Sequence, residues 1–224
     1  MANNVIDKEA ARQEAIDQTV SATEKFYNEN KKVLWGTLAA VIVLGLAVLG
    51  YVKFVYQPKC AEAMEQAFPA EINFQNGEFE LALNGDGNTL GFAEIISEYG
   101  AKAGKSIYLS AGICELQLGN FESALSYLGK YSGKEPILAA RAKACEGDAH
   151  VGLGDYQAAV KCFNAAAKMS DNVFAADYLL KAGLAYEALG NKAAALDCYN
   201  TIKNEYPQSI EAYDIAKNIA RVTE

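Results

Sequence analysis

Residues Val33–Val52 are twenty consecutive positions without a charged side chain, and no other feature constrains the chain as strongly. At ~1.5 Å per residue, a helix of that length spans ~30 Å, the thickness of a bilayer's hydrocarbon core. Eleven of the twenty are Val, Leu or Ile. At roughly 0.3–0.6 kcal/mol each they favour insertion by about 3–7 kcal/mol. Trp35 near one end, and Tyr51, Phe54 and Tyr56 near the other, suit the two headgroup layers. Pro58 then ends or kinks the segment. The pattern predicts a membrane-spanning signal anchor over 33–56. A cleaved signal peptide fits less well, because the preceding region is long and mixed in charge and no A-x-A-like site follows. A lipid-modified Cys60 fits less well again, since Gln57-Pro58-Lys59-Cys60 has neither the aliphatic nor the small residues of such a site. Lys25, Lys31 and Lys32 precede the span and Lys53 and Lys59 follow it, which favours a cytoplasmic N-terminus. The head, 1–32, is mixed in charge and free of proline. A helix is expected over Asp17–Tyr27, with the first dozen residues lacking fixed structure.

Everything after the span reads as water-soluble. From Gln57 onward there are 14 Lys and Arg against 22 Asp and Glu, about −8. Phosphate binding needs clustered basic groups, so nucleic acid is a poor partner, and anionic lipid is repelled. Five cysteines (Cys60, Cys114, Cys145, Cys162, Cys198) include no C-x-x-C pair, and His150 is the one histidine, so no metal-ligand spacing is present. The four later cysteines read as small buried hydrophobes; Cys60 is the candidate for an intermolecular bond. No phosphate-binding glycine loop and no serine elbow occur. His150 falls in a helix row that packs against a neighbour. No enzyme, cofactor, metal or small-molecule substrate is expected.

A repeat follows the span. Gly119-Asn120-Phe121-Glu122-Ser123-Ala124 is echoed by Gly154-Asp155-Tyr156-Gln157-Ala158-Ala159 and by Gly190-Asn191-Lys192-Ala193-Ala194-Ala195. The three leading glycines are 35 and 36 residues apart. Seven residues before each stands another glycine (Gly112, Gly147, Gly183), and nine after stands a large residue (Leu128, Phe163, Tyr199). Each unit reads as a helical hairpin. The earlier glycine admits the partner helix, the Gly-Asn or Gly-Asp pair supplies the stop and turn, and the large residue fills the next layer. Pro136 and Pro207 close two units. The pattern resembles the tetratricopeptide repeat over Lys105–Pro207. Glu115 and His150 depart from it where Tyr186 conforms, and Lys192 replaces the aromatic of Phe121 and Tyr156.

The predicted fold is therefore all-α: one N-terminal transmembrane helix, then a tetratricopeptide-repeat α-solenoid of helical hairpins with a C-terminal capping helix. Segment 57–104 is expected to be a degenerate first repeat and linker. It has helices around Ala61–Phe68 and Phe92–Tyr99, a plain turn at Asn84–Asn88, and a linker at Gly100–Gly104. Three repeats occupy 105–208. The cap occupies 209–224, with Ala212, Ile215, Ala216, Ile219 and Val222 on its apolar stripe.

Stacked hairpins present a concave groove lined by their first helices. The repeat register places Ser106, Leu109, Ile113 and Leu116 there from the first unit. Arg141, Ala144, Asp148 and Val151 come from the second, and Asp177, Leu180, Leu184 and Glu187 from the third. These positions read either as a binding site for an extended peptide or partner helix, or as ordinary half-buried positions. In the span, Gly36 and Ala40, and Ala39, Val43 and Ala47, are spaced by four, as in helices that pack closely in lipid. Small residues are also common in any membrane helix.

The order of parts carries a second resemblance. Lys25-Phe26-Tyr27-Asn28-Glu29-Asn30-Lys31-Lys32 runs directly into a single span, then into a helical repeat of this size. This is similar to the YfgM family of bacterial inner-membrane proteins, in a Bacteroidetes-type version. The resemblance implies an ancillary subunit of the Sec translocon, with its N-terminus cytoplasmic and its C-terminal domain periplasmic. The implied partners are SecYEG, a membrane-tethered chaperone of the PpiD type, and exported polypeptides. A general envelope scaffold or adaptor for another membrane complex has the same fold and stays open beside it.

Overall fold

A computed structural model describes the backbone of residues 2–169 and 173–224, and the side chains of residues 20, 21, 23–169 and 174–224. The chain divides into two compact units, Met1–Pro58 and Lys59–Glu224. Among the described residues every regular element is helical.

In the first unit a single helix, α1, runs Ala2–Tyr51. The expected helix at Asp17–Tyr27 lies within it, and so do the first residues, which the sequence reading leaves without fixed structure. That stretch has no proline or glycine to stop propagation, and each added residue gains one hydrogen bond once a helix is nucleated. Large apolar side chains are exposed on every side of the span: Val41, Ile42, Val43, Leu44 and Leu46 are each more than half exposed. A helix apolar all round has no water-facing side, and this one is long and apolar enough to cross a membrane. At its entry the Trp35 indole N–H donates to the Tyr27 hydroxyl at 3.1 Å. After α1 the backbone widens into a π-turn at Val52–Tyr56, where the Gln57 N–H reaches the Val52 carbonyl. Pro58 explains the local change. It has no N–H for the carbonyl of Phe54, and its ring crowds that carbonyl. The proline thus loosens the helical path where the sequence reading allows either a stop or a kink.

The second unit begins within α2 (Gln57–Gln75) and continues with α3 (Phe79–Asn84) and α4 (Phe92–Tyr99). Ala63, Ala67 and Ala70 of α2 join Ala82, Leu83, Phe92 and Ile95 in one buried cluster, with Phe74 edge-on to both Phe79 and Phe92. The chain first reverses at Asn76-Gly77-Glu78, a turn the sequence reading does not name. Gly77 has φ +80°, its N–H bonds the Phe74 carbonyl, and the Glu78 N–H bonds the Asn73 carbonyl. Asn84–Asn88, expected as a plain turn, begins the connection between α3 and α4. There the Asp86 carboxylate accepts from the N–H groups of Asn88 and Thr89 and from the Thr89 hydroxyl, at 2.7–2.9 Å. The backbone bonds from Thr89 and Asn88 hold that carboxyl below the usual range.

Three regular hairpins follow: α5 (Lys105–Gln117) with α6 (Phe121–Leu128), α7 (Pro136–Gly152) with α8 (Tyr156–Met169), and α9 (Val173–Ala188) with α10 (Lys192–Glu205). Their turns share one hydrogen-bond pattern. Gly119, Gly154 and Gly190 have φ between +72° and +81°. The next N–H in each case reaches back five residues: Asn120 to Glu115, Asp155 to His150, and Asn191 to Tyr186, at 2.8–2.9 Å. This is the Schellman arrangement, which satisfies the last carbonyls of the first helix. Asp155 and Asn191 then cap the second helix by accepting from Ala158 and Ala194. Glu135 caps α7, with Pro136 at the first helical position.

The earlier glycines are close-approach points. A Cβ at Gly112 would lie 2.6 Å from Leu128 Cγ, and one at Gly147 would lie 2.5 Å from the Phe163 ring; Gly183 is closer still to Tyr199. The large residue therefore packs on the glycine of its own hairpin, and it also reaches the next layer, as the sequence reading has it: Leu128 clusters with Ala142 and Ala149 of α7, and Phe163 with Tyr178, Ala182 and Ala185 of α9. Other residues add to the contact between layers: the Phe121 ring lies where a Gly152 Cβ would project, and Asn164 donates to the Tyr186 hydroxyl at 3.0 Å.

The last helix, α11, is Ile215–Thr223, shorter than expected. Residues 207–214 form i→i+3 turns, Ser209 to Tyr206 and Ala212 to Ser209 among them. Ile215 and Val222 are buried against Ala195, Tyr199 and Ile202 of α10.

Candidate functional site: a groove across three first helices

The first helices α5, α7 and α9 together line a cavity of ≈ 320 Å³. Six of the expected groove residues meet there: Ile113, Leu116, Arg141, Ala144, Asp148 and Asp177. A second cavity of ≈ 170 Å³ adjoins it and shares Asp148 and Lys181 with it. Val151 and Leu184, also expected, line this second one, over the Phe163 ring.

Four expected residues are elsewhere or otherwise engaged. Ser106 is exposed in the first turn of α5 and lines neither cavity. Leu109 is buried in the core between α5, α6 and α7. Leu180 packs on the α10–α11 cluster. Glu187 accepts two bonds from Arg221 of α11, at 2.7 and 2.8 Å, and one from the Tyr199 hydroxyl. In the span, Gly36, Ala39, Ala40 and Ala47 are exposed along α1, and a Cβ at Gly36 would meet nothing within 4 Å.

Sequence reading missed several groove residues: Ile137, Leu138, Cys145, Phe174, Tyr178 and Lys181. The signal was present. Lys181 follows Asp177 by four and Cys145 follows Arg141 by four, so each shares a helix row with a residue already placed. Ile137 and Leu138 occupy the first turn of α7, one turn before Arg141.

The floor of the groove is charged. Lys181 Nζ is 2.8 Å from Asp148 Oδ2 and 3.8 Å from Asp177 Oδ2. Burial opposes the Lys181 charge, but the hydrogen bond and charge of Asp148 outweigh it, so the ammonium is held more firmly than usual. Burial raises the Asp177 carboxyl against the pull of Lys181. The Cys145 thiol is pushed up to about 11 by burial, which keeps it protonated and a poor nucleophile at neutral pH. Cys145 is only half-buried, unlike Cys114, Cys162 and Cys198, so it departs from the expected set of buried cysteines; all five are free.

His150 ends in the last turn of α7. Its Nδ1 is buried, 4.0 Å from Asp155 Oδ2, and has no hydrogen-bond partner among the described residues. The His150 side chain is 24% exposed, and this nitrogen is left unsatisfied where the sequence reading expects a packed residue.

Residues 146–210 match the family model described as tetratricopeptide repeat. The chain is also similar to the crystal structure of MamA protein, with 19% sequence identity and a TM-score of 0.55 over 74% of this chain and 86% of that one. No curated protein sequence matches. At that identity the structural likeness concerns the fold. The body of this chain is thus a tetratricopeptide-like helical repeat. Such stacks serve as scaffolds for protein–protein contact, presenting a concave surface built by successive hairpins.

Proposed function

We propose that this chain is a membrane-anchored interaction protein, an ancillary Sec translocon subunit that presents its repeat groove to partners on the periplasmic side. The observation that carries the reading is the pairing of parts. A helix apolar on every face needs lipid around it, and the hairpin stack beyond it offers a groove of side-chain dimensions with a charged floor. The resemblance of the Lys25–Lys32 approach and the single span to the YfgM family supplies the choice of complex. SecYEG, a PpiD-type chaperone and exported polypeptides are the partners this reading names. The inner-membrane location and the cytoplasmic N-terminus are part of the same proposal.

Three measurements test it. Carbonate washing should leave the chain in the membrane fraction, and protease added from the cytosolic side should spare the repeat body. Purification in mild detergent should recover Sec components, and replacing Val33–Val52 by an unrelated span should abolish that recovery if the helix holds the complex. Retention of Sec components after the exchange makes the groove, not the helix, the point of attachment, whereas recovery of other envelope partners in place of Sec components favours the envelope-scaffold reading. Extraction by carbonate ends both readings.

A further inference from the structure

The groove contains four charged side chains, and three of them answer one another. Lys181 pairs with Asp148 and, more distantly, with Asp177. The fourth, Arg141, makes no ion pair or hydrogen bond among the described residues, although it is exposed in the cavity. Its charge acts on Cys145 and Tyr178. The carboxyl of Asp177 answers chiefly to burial and to Lys181, Glu211 and Asp148. Arg141 is therefore a cation without an ion pair to the groove's carboxylates among the described residues, and it lines the cavity together with the apolar side chains of Ile113, Leu116, Leu138 and Phe174. A guanidinium in that setting matches a carboxylate, which it can grip with two parallel N–H donors.

The cavities fix the scale of what carries that carboxylate. At ≈ 320 Å³ the first stands at the low end of the pockets that enclose small ligands and has room for an apolar side chain with a neighbouring group, whereas the second, at ≈ 170 Å³, is below that range and suits one side chain. Along α7 the first is centred on Arg141–Cys145 and the second on Asp148–Val151, a step of about seven residues, or ~10 Å. Three residues of extended chain cover the same distance. The Lys181–Asp148 pair lines both cavities, so the two are neighbours along the groove.

We infer that this groove takes an extended acidic-apolar polypeptide segment: two apolar side chains about three residues apart fill the cavities, and an Asp or Glu beside the first is held by Arg141. The inference rests on the groove being the binding site, as in the proposed function. It adds which chemistry is chosen and which residue chooses it. The rest of the soluble part is net acidic, and exposed charges are screened beyond about 10 Å at 0.1 M salt. Selection of an acidic segment is therefore local to Arg141.

The test is panning of a displayed random twelve-residue peptide library on the full chain in detergent micelles, followed by fluorescence anisotropy with one enriched peptide. The variants are Arg141→Glu, which changes an exposed side chain, and Leu138→Arg and Leu184→Asp, which obstruct the two cavities at exposed positions. The expected outcome has four parts. Enriched peptides carry an Asp or Glu close to paired apolar residues. Changing that acid to its amide weakens binding at least tenfold. Arg141→Glu does the same and shifts enrichment to Lys and Arg, and both cavity variants abolish enrichment. If peptides depend on Leu138 and Leu184 but show no acidic preference, or are indifferent to Arg141→Glu, the carboxylate inference is wrong and the groove stands. If no peptide is enriched, or enrichment ignores all three substitutions, the groove reading itself fails and takes this inference with it.

Discussion

The α7–α8 hairpin and the α2–α3 hairpin share a turn and differ in everything after it. Both reverse through a glycine at φ +76° to +80°, with the following N–H reaching five residues back. After Gly154 the second helix runs on for fourteen residues and sets Phe163 on Gly147. After Gly77 the second helix stops at Asn84, and the bulk under α2 comes from Phe92 and Ile95 of a separate helix. That interruption is held closed by glycines. A Cβ at Gly91 would overlap the backbone of Leu83, Asn84 and Gly85. At the position seven before the turn, α7 has Gly147 while α2 has Ala70, 1% exposed, which already carries a Cβ. The turn and the interhelix spacing are thus encoded separately: a glycine with positive φ makes a hairpin, and the small residue facing a large one sets how tightly it closes.

Substitution at the spacing position should break the comparison most visibly. Gly147→Val drives two branches into the buried Phe163 ring, and overpacking of this kind costs about 3 kcal/mol at its upper end. For a chain of this size that corresponds to a fall in melting temperature of about 6–12 °C, measured by circular dichroism. In the first hairpin the sense reverses. Ala70→Gly removes a Cβ that is already accommodated and costs about 1 kcal/mol through helix propensity and lost burial. If Gly147→Val melts no lower than Ala70→Gly, close approach at Gly147 is not what sets the hairpin.

Much of this was legible in the residues themselves. The three hairpins were readable because their spacing, small–large pairing and turn chemistry agree, and the groove rows followed from helix periodicity. The first hairpin was harder to read. Gly77-Glu78-Phe79-Glu80-Leu81-Ala82 matches Gly119-Asn120-Phe121-Glu122-Ser123-Ala124 at four positions, yet it lies 42 residues upstream instead of 35 or 36. The difference from 35 is seven, the length of the loop 85–91 between α3 and α4. An insertion inside a helix hides a repeat from any fixed-period search. Glu187 was misplaced for another reason. Its helix row faces the groove, but its partner Arg221 lies 34 residues away on α11, and no local pattern announces a tertiary ion pair. Lys181 is the converse case, since its row was available and its pairing with Asp148 across 33 residues was not.

The shared turn gives a mid-sized test. Nothing lies within 4 Å of a Cβ built on Gly77 or on Gly154, so Gly77→Ala and Gly154→Ala meet no steric obstacle. Each cost is purely that of a left-handed backbone with a side chain, about 1–2 kcal/mol. The two should match to within a few tenths of a kcal/mol. Equal losses in chemical denaturation support a common turn in a regular and an interrupted hairpin. A silent Gly77→Ala with a costly Gly154→Ala shows that the first turn is imposed by the core around Phe74 and Phe92 and not by its own glycine.

The smallest effect separates the third hairpin from the other two. Among the described residues, only there is the end of the first helix tied to another element by a two-pronged ion pair, Glu187 with Arg221. The Arg221 hydrogen bond, against the opposing effect of burial, holds the Glu187 carboxyl below its usual value of 4.5. A carboxyl depressed in the folded state adds stability that is fully present above its unfolded pKa and is lost as pH falls through the folded one. Arg221→Gln should therefore cost no more than about 1 kcal/mol at pH 7, because solvent screens the half-exposed guanidinium. The difference from wild type should shrink steadily as pH drops below about 4.5 and the unfolded carboxyl protonates, and vanish once the folded carboxyl does too. Hydrogen exchange at the amides of Ile215–Thr223 reads this directly, since release of α11 exposes them while α7 and α8 stay protected. A loss that is as large in acid as at neutrality places the contribution of Arg221 in the packing of its stem on α9, not in its charge.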